Sequence, residues 1–408
     1  MASGSEASDC SFGQTTVSEV GRLQGARVVF VLPWAALGGA ERSALALARH
    51  LRDAEGAEVE VVALTAEEGR AAEVAGSLGL PWLALPVHWA PSRRRKVAEL
   101  ARLVTFLRER KPDALMPYCN LANVLCGLCW RLTGARTCVW HQQDVSPSRR
   151  LGPALQHLAA RQTHLLVSNS QHGADFLVRE LGAPGQRVRV VREGVSLPSP
   201  KRDRTAWRRG LGLSEEDVAA CMVAHLHRQK DHAALLRAWR LVVDRLQAQG
   251  KQAVLVLAGR PAGAEDALKA LAFDLELGRS VRFLGEVEDV AGLLAACDIG
   301  LLSSPREGLP SAVLEYMAAG LPVAGTDIPG IREAVGEQGS FFLAPPGDAE
   351  GLAQVTLRLA ESPDLRRSLG EANAERARRE FSLERALGEH TALLAHALAS
   401  PGRHRWRG

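Results

Sequence analysis

The sequence predicts an α/β protein of two doubly wound Rossmann-like domains that face each other across a cleft. Three observations carry that expectation. From Arg27 onward, short runs rich in β-branched or apolar residues alternate with longer stretches of helical period, the pattern of strand, crossover helix and parallel strand. Runs such as VLVLA (Val254 to Ala258) are almost wholly apolar, as in a parallel sheet covered on both faces. The alternation breaks at Ser196 to Arg209 (SLPSPKRDRTAWRR), whose polar, Pro- and Arg-containing composition reads as an interdomain linker, and then resumes. Ligands of such sheets sit beyond the carboxyl ends of the strands, so two of them enclose a cleft.

The elements follow in order. Residues 1–25 are rich in Ser and Gly, carry Glu6, Asp9 and Glu19, and lack the basic and apolar regions of a signal peptide, so they read as a flexible tail on a cytoplasmic protein. Strands are predicted at Arg27 to Pro33, Val59 to Leu64, Trp82 to Val87, Ala114 to Tyr118, Cys138 to His141, Leu165 to Ser168 and Val188 to Val191. Helices between them include Ala40 to Leu51, Val97 to Arg110 and Asn123 to Leu132. Past the linker, strands are predicted at Ala220 to Ala224, Ala253 to Ala258, Val281 to Leu284, Ile299 to Leu302, Pro322 to Gly325 and Phe341 to Leu343. The helices there are Lys230 to Gln249, Ala264 to Leu277, Ala291 to Ala296, Ser311 to Ala319 and Ile331 to Val335, and Gly351 to Ala399 reads as two or three more.

Composition narrows the function. The 408 residues hold 50 Lys+Arg against 46 Asp+Glu, a net charge of +4 that argues against a dedicated nucleic-acid binder. With 46% hydrophobic and 24% charged residues the chain is ordinary globular protein, and collagenous, coiled-coil and disordered readings drop out. No apolar run reaches the roughly 18 residues needed to span a bilayer. Seven cysteines, mostly inside apolar runs, fit buried reduced thiols. Only six of the 50 basic residues are lysine, so a functional lysine stands out.

The most informative segment is Ser303 to Glu315, SSPREGLPSAVLE. It leaves an apolar strand, crosses a Pro/Gly loop and enters a helix whose first turn holds Ser311. A helix start offers unpaired N–H groups and the positive end of the macrodipole, which suits a phosphate. Glu315, about one turn in, suits vicinal hydroxyls such as those of ribose, and Glu307 suits those of a sugar ring. From the residues alone, Glu307 is equally a turn residue and Glu315 equally a solvated helical position.

The block continues as YMAAGLPVAGTDIPGIRE, and the whole resembles the C-terminal signature of retaining GT-B glycosyltransferases of family GT4. Glu307, Gly308, Pro310, Glu315, Gly320, Pro322, Val323, Gly330 and Glu333 meet that pattern. Leu37 to Leu51, Ser168 to Gly194, Val223 to Ala238, Val281 to Asp298 and Phe342 to Asp348 fit as well, so the resemblance covers roughly residues 27 to 395. It implies a GT-B fold divided into a first, acceptor-side domain (residues 26–195) and a nucleotide-sugar-binding domain (196–380). A last helix in residues 381–408 crosses back to the first domain and ends in a tail. It further implies that Glu307 touches donor-sugar hydroxyls, that the amides around Gly308, Leu309 and Pro310 line the sugar and diphosphate, and that Glu315 binds ribose. Lys230 would neutralise the diphosphate with help from the helix start at Ser311, and Gly38 and Gly39 would form a loop closing over it.

Two departures stand out. Where the family usually has Gly-Arg followed four residues on by Lys, this chain has Ala224-His225 and then Lys230; Arg228 is the nearest substitute for the missing charge. Glu193-Gly194-Val195-Ser196 replaces the usual Asn-Gly-Val-Asp. His141, after the strand CVW, stands where the family often places a His facing the reacting sugar, and is equally a strand-end histidine. Cys126, Cys129, Cys138 and His141 have only superficial zinc spacing, since the first two lie in an apolar helical run without knuckle turns. The sequence has no Asp-x-Asp motif, so no metal or other cofactor is expected. Arg93, Arg94, Arg95 and Lys96 precede an apolar face of Val97, Leu100, Val104 and Leu107; the face packs on the sheet or docks on an anionic membrane.

Together these expectations describe a transferase of polysaccharide biosynthesis. It would move a sugar from a UDP- or GDP-sugar to a hydroxyl of a glycan, lipid-linked or small-molecule acceptor, with Glu307, Lys230 and His141 at the chemistry. The alternatives are a nucleotide-sugar-binding protein with little catalysis, and another GT-B enzyme such as an epimerase.

Overall fold

The computed structural model describes residues 23–67, 69–89, 92–145 and 151–400. The tails expected at 1–25 and at the end of 381–408 fall outside these ranges, except for Leu23 to Gly25 and the chain up to Ser400. Leu23 is buried, and Gly25 N donates to Gly56 O at 3.0 Å, so packed chain begins ahead of residue 26.

The first domain runs β1 (Arg27–Leu32), α1 (Gly39–Asp53), β2 (Glu58–Ala63), α2 (Arg70–Ser77), β3 (Trp82–Ala84), α3 (Arg93–Glu109), β4 (Ala114–Pro117) and α4 (Cys119–Thr133). It continues with β5 (Thr137–Gln142), α5 (Pro153–Gln162), β6 (Leu165–Ser168), α6 (Gln171–Arg179) and β7 (Val188–Val190). The second runs α7 (Arg204–Leu211), β8 (Val218–Val223), α8 (His232–Gln247), β9 (Ala253–Ala258), α9 (Glu265–Asp274), β10 (Val281–Gly285), α10 (Val290–Ala296) and β11 (Ile299–Leu302). It ends with α11 (Ser311–Ala318), β12 (Val323–Thr326), α12 (Pro329–Ser340), β13 (Leu343–Ala344), α13 (Ala349–Glu361), α14 (Pro363–Glu380) and α15 (Leu383–Ala399).

The first sheet is ordered β3-β2-β1-β4-β5-β6-β7 and the second β10-β9-β8-β11-β12-β13, every pairing parallel. The chain reverses direction across each sheet after its third strand, which puts the crevices beyond β1/β4 and β8/β11. The expected pair of doubly wound domains is therefore the observed architecture.

Packing fixes α11, the helix that matters most. Val313, Leu314 and Met317 are fully buried, each stabilising the domain by roughly 1.5–3 kcal/mol. Val223 N donates to the Tyr316 hydroxyl at 2.7 Å, and that hydroxyl donates to Leu301 O at 3.3 Å, tying α11 to the ends of β8 and β11. The ring lies flat on β11 because residue 300 is glycine; a Cβ there would sit 2.4 Å from it.

Three expectations change. The segment read as linker to Arg209 is helical from Arg204: Asp203 caps α7 by accepting from Ala206 N (2.7 Å), Trp207 and Leu211 are buried one turn apart, and Arg208 reaches Ala296 O (2.9 Å) and Asp298 (3.3 Å). Arginines flanking one apolar stripe disguised it. Lys230 lies in a 3-10 turn (Arg228–Lys230), because Asp231 adopts left-handed backbone (φ 49°) and caps a helix that starts at His232. In α3, which begins at Arg93, Leu103 and Leu107 are buried and Leu100 and Val104 pack on the core, while Val97 is 61% exposed.

The last helix, α15, packs on α1 and β5 of the first domain, with Leu394 and Leu398 in its core. Its crossing requires Gly194, where a Cβ would lie 2.6 Å from Leu383 Cα. No helix among the described residues is long and apolar enough to cross a membrane.

Candidate active site

The two crevices open into one cleft of ≈ 560 Å³ lined by both domains, within the usual range for small-molecule sites. Its first-domain wall is the loop from β1 into α1. The buried Glu41 carboxylate accepts from Trp34 Nε1 (2.9 Å) and Gly38 N (2.9 Å), holding the loop closed on itself. Burial pushes the Glu41 pKa up while those hydrogen bonds oppose the rise. Gly39 faces the other domain: a Cβ there would lie 2.5 Å from Ser311 Oγ and 3.3 Å from Ser311 Cβ, so a larger residue would press on Ser311 across the cleft.

The facing wall rises from the ends of β8 and β11. Ser303 Oγ lies 3.0 Å from the carbonyl oxygens of both Lys230 and Asp231, pinning the turn, and Lys230 Nζ donates to Glu307 Oε1 at 2.5 Å. Pro310 precedes α11 without a side-chain cap, so the Ser311 and Ala312 amides remain free at the helix start. Glu315 is largely buried, its pKa raised by that burial, and pairs with Arg42 of the other domain at 3.5 Å. Gly330 lets α12 seat the loop: a Cβ there would fall 1.5 Å from Gly308 O. Gly308 itself abuts the first domain, its Cβ position 2.5 Å from Gln143 O.

Gly38, Gly39, His225, Lys230, Glu307, Leu309, Pro310, Ser311 and Glu315 thus meet in one cleft, while Gly308, in the same loop, packs against Gln143 and Asn169. Arg228 is exposed on the 3-10 turn and does not line the cleft. His225 does, but burial and the charges of Arg260, Lys230 and Arg42 bring its pKa down to about 4, so it is neutral near pH 7 and offers a hydrogen bond rather than a charge.

His141 is not brought into the cleft. It is 1% exposed, stacked on Tyr118 (4.1 Å between ring centroids) and against His390 of α15 (5.2 Å), its Nδ1 3.3 Å from Pro117 O. Burial holds its pKa well below the usual histidine range. It lines a small cavity of ≈ 30 Å³ with Ser43, Glu193 and His390 beneath the α15 crossing, which adjoins the cleft at Gln143 and Asn169. Glu193, one of the two departures, accepts from Ser43 Oγ there, and burial raises its pKa to about 8.

Sequence reasoning missed Glu41, Arg42, Trp34 and Arg260, all of which line the cleft. An Arg directly after the apolar run VLVLAG was the available signal for Arg260; the others are legible only once the domains are docked. It also missed that Glu333, in the recognised motif, bridges the domains, accepting from Gln171 N (2.9 Å) and pairing with Arg192 (3.3 Å). Cys126, Cys129 and Cys138 are buried free thiols whose pKa values burial raises. Among the described residues no three His, Cys, Asp or Glu side chains gather in a metal-binding group.

Two Rossmann-like domains clasping a cleft with a glycine loop on one wall and a Lys/Glu-lined helix start on the other define a GT-B protein. Solved structures agree on the fold. HepE from Anabaena, in complex with UDP and glucose, superposes with a TM-score of 0.78 at 20% identity over 91% of this chain and 100% of that one. WaaG, a glycosyltransferase involved in lipopolysaccharide biosynthesis, gives 0.67 at 20% identity over 89% and 99%. Residues 37–198 match the Glycosyltransferase Family 4 model and residues 203–376 the model of Glycosyl transferases group 1. The chain belongs to this family of GT-B glycosyltransferases. Relatives include N-acetyl-alpha-D-glucosaminyl L-malate synthase of Bacillus anthracis, 29% identical over 47% of this chain and 48% of that protein. D-inositol 3-phosphate glycosyltransferase of Saccharomonospora viridis is 30% identical over 58% and 56%. The chain spans about half the length of these curated relatives.

Proposed function

We propose that the protein is a retaining glycosyltransferase that takes a sugar from a UDP- or GDP-linked donor and passes it to a hydroxyl of a glycan, lipid-linked or small-molecule acceptor. The observation that carries this reading is the convergence of Lys230, Glu307, Glu315 and the uncapped start of α11 on one wall of an interdomain cleft. HepE's complexes with UDP and UDP-glucose support a nucleotide-sugar donor, and WaaG's role in lipopolysaccharide supports a place in polysaccharide biosynthesis.

In this mechanism the second domain holds the donor. Glu315 accepts from the ribose hydroxyls and gives up Arg42, and Glu307 exchanges its bond to Lys230 for one to a sugar hydroxyl. As the bond to the sugar breaks, charge gathers on the departing diphosphate, where Lys230, released by Glu307, and the Ser311 and Ala312 amides meet it. Those groups, rather than a metal ion, balance the charge. The acceptor attacks the face the diphosphate leaves and gives its proton to the departing phosphate oxygen, which retains configuration. His141 has no sugar contact in this mechanism, and closure of the glycine loop excludes the water that would hydrolyse the donor. The exposed Arg93, Arg94 and Arg95 beside Lys96 would hold the enzyme to an anionic membrane carrying a lipid-linked acceptor.

The test is to incubate the protein with a panel of UDP- and GDP-sugars and hydroxyl acceptors and to follow nucleoside diphosphate release and product anomer by NMR. Release that Glu307→Ala abolishes, with the donor's anomeric configuration kept, is expected. An inverted product overturns retention, and no binding of any donor overturns the whole reading. Neutral His225 favours a second reading, a nucleotide-sugar-binding protein, which tight donor binding without release would support.

A further inference from the structure

Building on the glycosyltransferase reading, we propose that Arg260 binds the donor diphosphate and supplies the positive charge that position 225 lacks. Among the described residues the cleft is lined by the carboxylates Glu41, Asp144, Glu286, Glu307 and Glu315 and by three Lys or Arg side chains, Arg42, Lys230 and Arg260. Among these residues the carboxylates outnumber the cations, so each cation matters to a multiply charged anion. Two of these cations are paired in this structure, Arg42 with Glu315 at 3.5 Å and Lys230 with Glu307 at 2.5 Å, and must leave those carboxylates before they can meet a phosphate.

Arg260 is different. Among the described residues it has no ion pair, and its Nε is buried without a hydrogen-bond partner. A buried guanidinium N–H left unpaired is costly, and an acceptor arriving in the cleft removes that cost. Its planar fork suits two phosphate oxygens at once, which a single ammonium does not.

The backbone fixes where that side chain starts. Arg260 follows β9 directly, and Leu226 N donates to its carbonyl at 3.0 Å. The preceding Gly259 is tight against the end of β8; a Cβ there would fall 2.0 Å from Ala224 O. Because β9, β8 and β11 are adjacent in the sheet, Arg260, His225 and the Glu307 loop leave the same edge in that order. The charge sought at the end of β8 is thus present one strand over.

Isothermal titration of the whole chain with UDP, GDP and the matching nucleosides tests this, using native protein, Arg260→Met and Arg260→Lys. The native chain is expected to bind one diphosphate. Arg260→Met should weaken that diphosphate about 10- to 100-fold, equivalent to about 1.4–2.8 kcal/mol, without changing nucleoside affinity or lowering the melting temperature. Arg260→Lys should recover part of the loss. Native-like diphosphate affinity in Arg260→Met overturns the assignment, as does an equal loss for diphosphate and nucleoside; either leaves the donor-binding reading standing. If the native chain binds neither diphosphate, that reading falls and the assignment with it.

Discussion

Gly330→Ala probes how the catalytic loop is seated. In the native packing a Cβ at this position would lie 1.5 Å from Gly308 O, 2.7 Å from Gly308 C and 2.9 Å from Glu307 O, all backbone atoms that no rotamer change can move aside. Restoring even 3.0 Å means that the loop or the start of α12 retreats by about 1.5 Å. Such overpacking costs roughly 1–3 kcal/mol. For a domain of this size each kcal/mol lowers the melting temperature by about 2–4 °C, so a fall of about 2–12 °C is expected. The same retreat displaces Glu307 from Lys230, and a misplacement of about 1 Å can cost about 100-fold in rate. Thermal unfolding and donor turnover measure the two effects together. Gly388→Ala is the control: exposed within α15, with nothing within 4 Å of its Cβ, it should stabilise the protein by roughly 0.4–1 kcal/mol. Native stability and turnover in Gly330→Ala would refute the view that the motif glycine exists for this close approach.

Further outcomes follow from individual groups. Lys230→Met should lower turnover by about 100-fold or more through loss of a charge-assisted contact to the leaving group, with Lys230→Arg in between; steady-state kinetics decides. Glu193, with a pKa raised from 4.5 to about 8, holds its proton in the folded state where the unfolded chain has lost it. Its contribution to stability therefore declines as pH rises from about 4.5 to 8, approaching 1.4 kcal/mol per pH unit at most, and urea melts of Glu193→Gln should be flatter across that window. His225, His232 and His390, each lowered to about 4, act oppositely: stability falls as pH drops from 6.5 toward 4. Glu333→Ala cuts the contacts to Gln171 and Arg192 and should increase the radius of gyration by small-angle scattering; an unchanged radius would deny it a part in holding the domains together.

The strand positions, the two doubly wound domains and the Glu307 to Glu333 motif were legible because their signals are local. Parallel strands buried on both faces must be continuously apolar, and β6, β9 and β11 match their predicted ranges for that reason. Helix α7 was not legible, since its apolar stripe is two residues, Trp207 and Leu211, set among arginines, of which Arg208 reaches Ala296 and Asp298 about 90 residues away. His141 shows the same limit: its place at a strand end was readable, but α15 covering it from the far end of the chain was not. The sequence by itself determined the fold class, the glycine-bearing loops and the Lys/Glu wall, all set by periodicity and short-range backbone geometry. Only the tertiary structure decided that Gly39 meets Ser311, that His225 stays neutral, and that Arg260 rather than Arg228 enters the cleft. Those outcomes depend on burial and on charges brought together across two domains, which no local pattern encodes.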